Sequence, residues 1–244
     1  MHVFKMRKTT ALILAGGFGT RLQSVVKDVP KPMADVRGEP FLAHLIRYYK
    51  LQGVTQFVLS VGYKAEFIID YFGRTFESAA IEYVREDQPL GTGGAIKYAL
   101  NHLTADWLPN LIVNGDTWFE PNISAFAAFS QTKNTPVCLS VKPMLLNDRY
   151  GSVLLGANDN ISGFRAEPSN HAHINAGCYY IQPLLFQTIL ANYPDTFSFE
   201  SNCLPNLAQA GQLSAYICDA QFLDIGIPTD YAKAADLLPF SSSK

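Results

Sequence analysis

Two rhythms of apolar residues alternate along the first 140 or so positions: short unbroken runs, and longer stretches with an apolar residue every three or four places. The run Ala11-Leu12-Ile13-Leu14-Ala15 ends at Gly16-Gly17, which predicts a buried strand entering a glycine-rich turn. Residues 24–32, broken by Pro30 and Pro32, predict an ordered loop that places Lys31. Residues 40–52 have helical spacing, with Pro40 suited to the first helical position and Gly53 to the stop; His44 within them reads as a packing or helix-surface residue. Strands are predicted over 57–61 and 81–85, with a helix over 65–72 between them. A glycine-rich loop over 88–95 opens a helix over 96–103, and residues 111–116 read as an apolar strand ending in a carboxylate. A helix over 123–129 leads to a strand over 137–141.

Alternation of this kind predicts an α/β fold with a mostly parallel sheet, helices on both faces and right-handed crossovers. Ligands in such folds bind beyond the carboxyl ends of the strands, where the glycine turn lies. Past Pro143 the texture changes. Shorter strands at 148–153, 161–164 and 174–181, joined by Asn, Asp and Gly turns, suggest an antiparallel insertion over the sheet. Helices over 183–191 and 199–210, the segment 215–218 and a last helix opened by Pro228-Thr229-Asp230-Tyr231 complete the chain, with Asp230 a capping or dipole residue.

At 244 residues the chain suits one large domain over 10–240, with residues 1–9 a loose leader. Lys5, Arg7 and Lys8 precede an apolar run too short for a signal peptide, and no stretch approaches the ~18 consecutive apolar residues that mark a membrane span. The balance of 19 basic and 21 acidic residues offers no electrostatic footprint for nucleic acid or an anionic membrane. Cys138, Cys178, Cys203 and Cys218 lie far apart without a Cys-x-x-Cys, and read as buried free thiols in a reducing cytoplasm. His171, His173 and Asn175 lack the spacing of a zinc site. The expected partners are small molecules, and the protein is expected to be a monomer or homodimer.

The chemistry gathers near the N-terminus. Gly16, Gly17 and Gly19 can turn backbone N–H groups onto an anion, and glycine can take the positive φ that such a nest needs. Arg21 adds a guanidinium fork suited to phosphate oxygens, and Lys31, between two prolines, a charge on a nearly fixed backbone. The pattern departs from the dinucleotide fingerprint at Leu22 and from the P-loop at 19–21. Asp116, ending an apolar strand, suits magnesium, which takes one or two protein carboxylates and fills its other positions with water and phosphate oxygens.

Gly16-Gly17-Phe18-Gly19-Thr20-Arg21-Leu22 followed by Pro30-Lys31-Pro32 resembles the signature of the sugar-1-phosphate nucleotidyltransferases. The resemblance implies a single-domain Rossmann-like fold of glycosyltransferase-A type, with a nucleotide half over about 10–142 and a sugar half over about 143–240. It implies that Leu14, Ala15, Gly16, Gly17, Gly19, Thr20 and Arg21 bind the nucleotide and that Gln88, Gly91 and Thr92 read the base. Arg21, Lys31 and Asp116 would be catalytic, with Mg²⁺ on Asp116 and Asp224. Asn175-Ala176-Gly177 resembles a motif whose asparagine and glycine contact the sugar, and Asn114, Arg149 and Gly151 join them in the implied sugar-phosphate site.

One departure stands out. The family's Phe-x-Glu-Lys-Pro is here Phe164-Arg165-Ala166-Glu167-Pro168, so the lysine that meets the sugar phosphate is missing. Glu167 on the sugar, and Arg165 or Arg149 on the phosphate, are the expected substitutes. Residues 24–33, 38–42, 59–63 and 90–95 look most like the bacterial D-glycero-α-D-manno-heptose 1-phosphate guanylyltransferases. That likeness implies GTP as donor and GDP-heptose as product, feeding surface polysaccharide or S-layer glycan. The alternatives are the same chemistry with mannose 1-phosphate and GTP, or with glucose 1-phosphate and UTP or dTTP. From another class, a non-catalytic regulator that binds a nucleotide sugar is the rival; the presence of Arg21, Lys31 and both aspartates favours the enzyme.

Overall fold

The first half of the chain alternates strands and helices as its apolar rhythm predicts. A computed structural model describes residues 9–17, 26 and 28–238. β1 (Thr9–Leu14) is followed by a 3-10 turn (Lys31–Met33), the hairpin of β2 (Asp35–Val36) and β3 (Glu39–Pro40), and α1 (Phe41–Leu51). Then come β4 (Val54–Val61), α2 (Ala65–Phe72), β5 (Thr75–Phe76), β6 (Ala79–Arg85), α3 (Gly91–His102), β7 (Leu111–Asn114), β8 (Thr117–Phe119) and α4 (Ile123–Thr132). The second half holds β9 (Val137–Met144), β10 (Ser152–Leu155), β11 (Ile161–Arg165), β12 (Ala172–Ile181), α5 (Pro183–Leu190), α6 (Leu204–Gln209), β13 (Leu213–Ile217), β14 (Phe222–Asp224) and α7 (Pro228–Leu237).

Strands β7, β1, β4 and β6 lie parallel in that order at the centre of a ten-stranded mixed sheet. Strand alternation splits the core in two. Ile13, Leu59 and Val113 face α1, α2, α4 and α7, while Leu12, Val58 and Ile112 face α3, α5 and α6. Among the described residues no helix is long and apolar enough to cross a membrane.

Several expectations change in the folded chain. Thr9 belongs to β1 rather than to a leader, and residues 1–8 lie outside the described residues. Pro40 precedes α1 instead of opening it. Lys31 opens a 3-10 turn instead of lying in a loop, and Ser24, Val25 and Lys27 are outside the description. His44 is a packing residue, fully buried with Nε2 against the Val36 carbonyl at 3.0 Å. The antiparallel strands do not cover the sheet; they widen it. β12 pairs with β7 and β9, and β10 and β11 extend that edge. The helix expected over 199–210 starts as a π-helical turn (Phe199–Cys203), because Pro205 in the first turn of α6 has no N–H for the ladder to continue. Cys138, Cys178 and Cys203 are buried and Cys218 is half-buried; burial pushes the Cys178 thiol up to about 12.

Helix α3 begins at Gly91, inside the predicted loop. Its glycines admit a crossing segment: a Cβ at Gly94 would lie 2.2 Å from the Asp195 carbonyl oxygen, and one at Gly93 2.2 Å from the Phe197 ring. Gly94→Ala is therefore expected to force the backbones apart at a cost of about 1–3 kcal/mol. At roughly 2–4 °C per kcal/mol for a domain of this size, thermal denaturation should show a Tm lower by several degrees.

Candidate active site

β1 and β7 are neighbours and end together, so the residues that follow them meet. Leu14, Ala15, Gly16 and Gly17 on one side, and Asn114 and Asp116 on the other, line a cavity of about 340 Å³. Ala15 N–H donates to the Ser60 carbonyl (2.9 Å) and Tyr63 N–H to that of Gly16 (3.3 Å), which ties the glycine turn to the end of β4. Neither Gly16 nor Gly17 takes the positive φ expected of a nest. Gly16 instead leaves room for Glu86: a Cβ there would sit 2.6 Å from Glu86 Oε1 and move that carboxylate. Gly19, Thr20 and Arg21 lie outside the described residues.

Glu86 follows β6 and lines the same cavity. Its Oε1 accepts from Ser60 Oγ (2.8 Å) and its Oε2 from Leu90 N–H (3.2 Å). Burial pushes its carboxyl above the usual carboxylate range, and these two hydrogen bonds oppose the shift. Among the described residues no cation pairs with it. Gln88, the expected base reader, is exposed and outside the lining, whereas Pro89, Gly91 and Thr92 belong to it. The first amides of α3 are partly consumed: Gly93 and Gly94 N–H both donate to the Phe197 carbonyl. Thr92 Oγ1 accepts from Phe199 N–H (2.9 Å) and donates to Glu200 Oε2 (2.5 Å). Sequence reasoning missed both glutamates. Glu86 carried one signal, an acidic residue directly after a predicted strand; Glu200 carried none, because its partner Thr92 is far away in the chain.

The two aspartates are far apart in the chain, Asp116 near its middle and Asp224 near its C-terminus. β14 pairs with β8 so that Asp224 lies opposite Thr117, and Ile225 N–H donates to the Asp116 carbonyl (3.1 Å). Lys31 Nζ donates to Asp116 Oδ2 (2.5 Å) and stands 3.7 Å from Asp224 Oδ1. Two carboxylates thus converge on one cation. Hard oxygen donors in that number fit magnesium, so the residues present suit the metal that the glycine signature implies.

In β12 the register passes from Asn175 opposite Val141 to Tyr179 opposite Leu139, a bulge in which Gly177 takes φ +71°. A Cβ at Gly177 would lie 3.0 Å from Asn114 Nδ2, so glycine lets β12 close on β7. The amide of Asn175 was expected to serve sugar hydroxyls. Instead its Oδ1 accepts from Gly177 N–H (2.8 Å) and its Nδ2 donates to Tyr179 Oη (2.9 Å), which spends part of its capacity on holding the bulge. Asn114 Oδ1, buried at the cavity wall, has no hydrogen-bond partner among the described residues.

The remaining sugar-phosphate candidates are not brought to this cavity. Gly151 packs on the Arg165 carbonyl, where a Cβ would come to 2.8 Å. Arg149 pairs with the buried carboxylate of Asp230 (3.1 Å), so Asp230 anchors the 143–151 segment rather than capping α7 with its side chain. Arg165 and Glu167 are exposed. Phe164 lies opposite Val153, which lies opposite His173, so strand alternation sets Arg165 on the other sheet face from Asn175. Arg165→Ala is accordingly expected to leave the KM for sugar phosphate within about twofold, as is usual for surface changes.

Most of the chain has known counterparts. Residues 10–239 match the nucleotidyl transferase family. The D-glycero-alpha-D-manno-heptose 1-phosphate guanylyltransferase of Aneurinibacillus thermoaerophilus is 38% identical over 224 residues, 92% of this chain and 96% of that protein. The enzyme of the same name from Campylobacter jejuni is 37% identical over 91% of this chain and 96% of its own length. The crystal structure of HddC from Yersinia pseudotuberculosis complexed with GMP-PN superposes with a TM-score of 0.79 at 35% identity, covering 93% of this chain and 98% of that one. The cavity beyond β1 and β7, with its glycine turn, lysine and paired aspartates, is thus the site of a chain that belongs to the nucleotidyl transferase family.

Proposed function

We propose that the chain joins GTP to D-glycero-α-D-manno-heptose 1-phosphate, giving GDP-heptose and pyrophosphate. The observation that carries this reading is the meeting, at one cavity, of a glycine turn, Lys31, Asp116 with Asp224 beside that lysine, and Glu86, a carboxylate with no cation partner among the described residues. A negative group beside a triphosphate has a use if it holds a metal or reads a base, and Glu86 lies away from the aspartate pair with no cation beside it among the described residues. Guanine offers two adjacent donors, N1–H and the 2-amino group, which one carboxylate can accept together; the pairing edges of adenine, cytosine and uracil each set a lone pair against it.

In the proposed reaction an oxygen of the sugar phosphate attacks the α-phosphorus in line, the bond to the β-phosphate bridge breaks, and pyrophosphate leaves. Little covalent help is needed, so the protein's part is positioning and charge neutralisation. Lys31 holds positive charge at the reacting phosphoryl, and Arg21 would serve the leaving phosphates. Asp116 and Asp224 would hold Mg²⁺, which when bound offsets the charge of the phosphate oxygens. Asn114 Oδ1 offers an acceptor to a sugar hydroxyl. A nucleoside triphosphate donor suits a cytoplasmic enzyme, and GDP-heptose suits supply of a surface polysaccharide.

The test is pyrophosphate release with Mg²⁺ for GTP, ATP, CTP, UTP and dTTP against heptose, mannose and glucose 1-phosphates, with and without EDTA. Release confined to GTP with the heptose phosphate, and abolished by EDTA, is the expected result. Release with another pair would keep the reaction and discard the substrate assignment. Silence throughout would discard the reaction.

A further inference from the structure

We infer that Lys31 is the resident counter-cation of the Asp116–Asp224 pair, and that divalent metal must displace its ammonium before the site can work. The inference rests on the assignment of both aspartates as metal ligands. Its carrying observation is geometric: a single ammonium, on a side chain only 9% exposed, stands 2.5 Å from Asp116 Oδ2 and 3.7 Å from Asp224 Oδ1. Its seat is shaped by the backbone. A Cβ on Gly226 would fall 2.0 Å from Lys31 Nζ, and Gly226 N–H donates to Asp224 Oδ1 (2.7 Å), so the chain leaves room at 226 for this ammonium. The carboxylate oxygens are the hard donors a divalent cation needs, and a dication among them would face a fixed unit positive charge at close range.

Lys31 then has two stations. Without metal its ammonium stands against both carboxylates in a partly buried cleft. Once metal takes their charge, the ammonium is released toward the cavity it lines, where it meets phosphate. The pair cannot hold metal at full affinity while Lys31 stays, which makes Lys31 a positioning residue for the metal as well as a catalytic one.

The test is Mn²⁺ binding to the nucleotide-free protein, read by the loss of the free-ion EPR signal, for the wild type, Lys31→Met and Lys31→Arg, with thermal denaturation as the folding control. Lys31→Met is expected to bind Mn²⁺ about tenfold more tightly or better, a deliberately screened allowance for removing one positive charge beside a dication. Lys31→Arg, which keeps the charge, should stay near the wild type. Equal or weaker binding by folded Lys31→Met overturns the inference. Adding Asp116→Asn or Asp224→Asn to Lys31→Met separates the two assignments. If these double variants lose Mn²⁺ but Lys31→Met itself shows no gain, displacement fails alone; if they bind Mn²⁺ undiminished, the aspartates are not the metal site.

Discussion

Replacing Asp116 by alanine is expected to lower kcat by on the order of a thousandfold, the scale seen when a preorganised group that stabilises transition-state charge is removed. Two functions are lost together. Asp116 supplies one of the two carboxylates that converge on a cation, and it is the nearer anchor of Lys31. Without it the ammonium is left with Asp224 alone, so both the metal and the lysine lose their place. The side chain is 39% exposed and makes one further hydrogen bond, from Thr117 Oγ1 (3.2 Å), so the fold should survive. Asparagine at 116 keeps the shape and removes the charge, and it should fall nearly as far. Single-turnover pyrophosphate release at saturating substrates, beside an unchanged circular dichroism spectrum, makes the measurement. A kcat within tenfold of wild type would remove Asp116 from the chemistry.

Replacing Glu86 by glutamine should cost discrimination more than turnover. In the proposed role Glu86 accepts two hydrogen bonds from guanine; glutamine would lose one acceptor and gain an N–H that faces a donor, and mismatches of that kind run to about a hundredfold or more in kcat/KM. The loss should be confined to GTP, with kcat/KM for UTP or ATP equal or higher. The pH dependence has a definite sign. Burial raises the Glu86 pKa, so the carboxyl protonates at higher pH than an ordinary glutamate. Once protonated it can no longer accept both guanine donors, and the KM for GTP should climb as the solution is acidified through that raised pKa; in Glu86→Gln this climb should be absent.

Stability should move the other way. A carboxyl whose folded pKa is raised stabilises the fold at low pH, and that contribution fades as pH rises through the folded value. Above it, Glu86→Gln should melt no lower than the wild type, provided glutamine keeps the hydrogen bonds with Ser60 and Leu90. A Tm well below wild type at pH 8, with guanine preference intact, would make Glu86 a purely structural link between β4 and α3.

The chain's own order of residues determined the parallel core, because each strand and helix there has its period written into a local run: Ala11 to Leu14 and Leu111 to Val113 are apolar without interruption, Phe57 to Val61 is broken only by Ser60, and the segments between them turn at helical spacing. It also marked the glycine turn, Lys31 and Asp116 as candidates, by their types, their spacing and a family signature that need no knowledge of the fold, and the structure brings Gly16, Gly17, Lys31 and Asp116 to one cavity. What the tertiary structure decided concerns which distant groups meet and which way they face. Asp224 reaches Asp116 only because β14 pairs with β8 in one register. Glu86 rather than Gln88 borders the cavity because side chains at the end of β6 are aimed by the sheet, and a shift of two places carries the chain from the cleft to solvent. The glycine-rich loop over 88–95 reads in sequence as the opening of a helix that meets a base, yet the segment through Asp195 and Phe197 occupies Gly93 and Gly94. Arg165, a natural substitute for the missing lysine, is turned to the wrong face by the pleat of β11. Local propensity acts over a few residues, whereas these outcomes depend on register, side-chain direction and contacts between segments far apart in the chain, and those exist only once the sheet has formed.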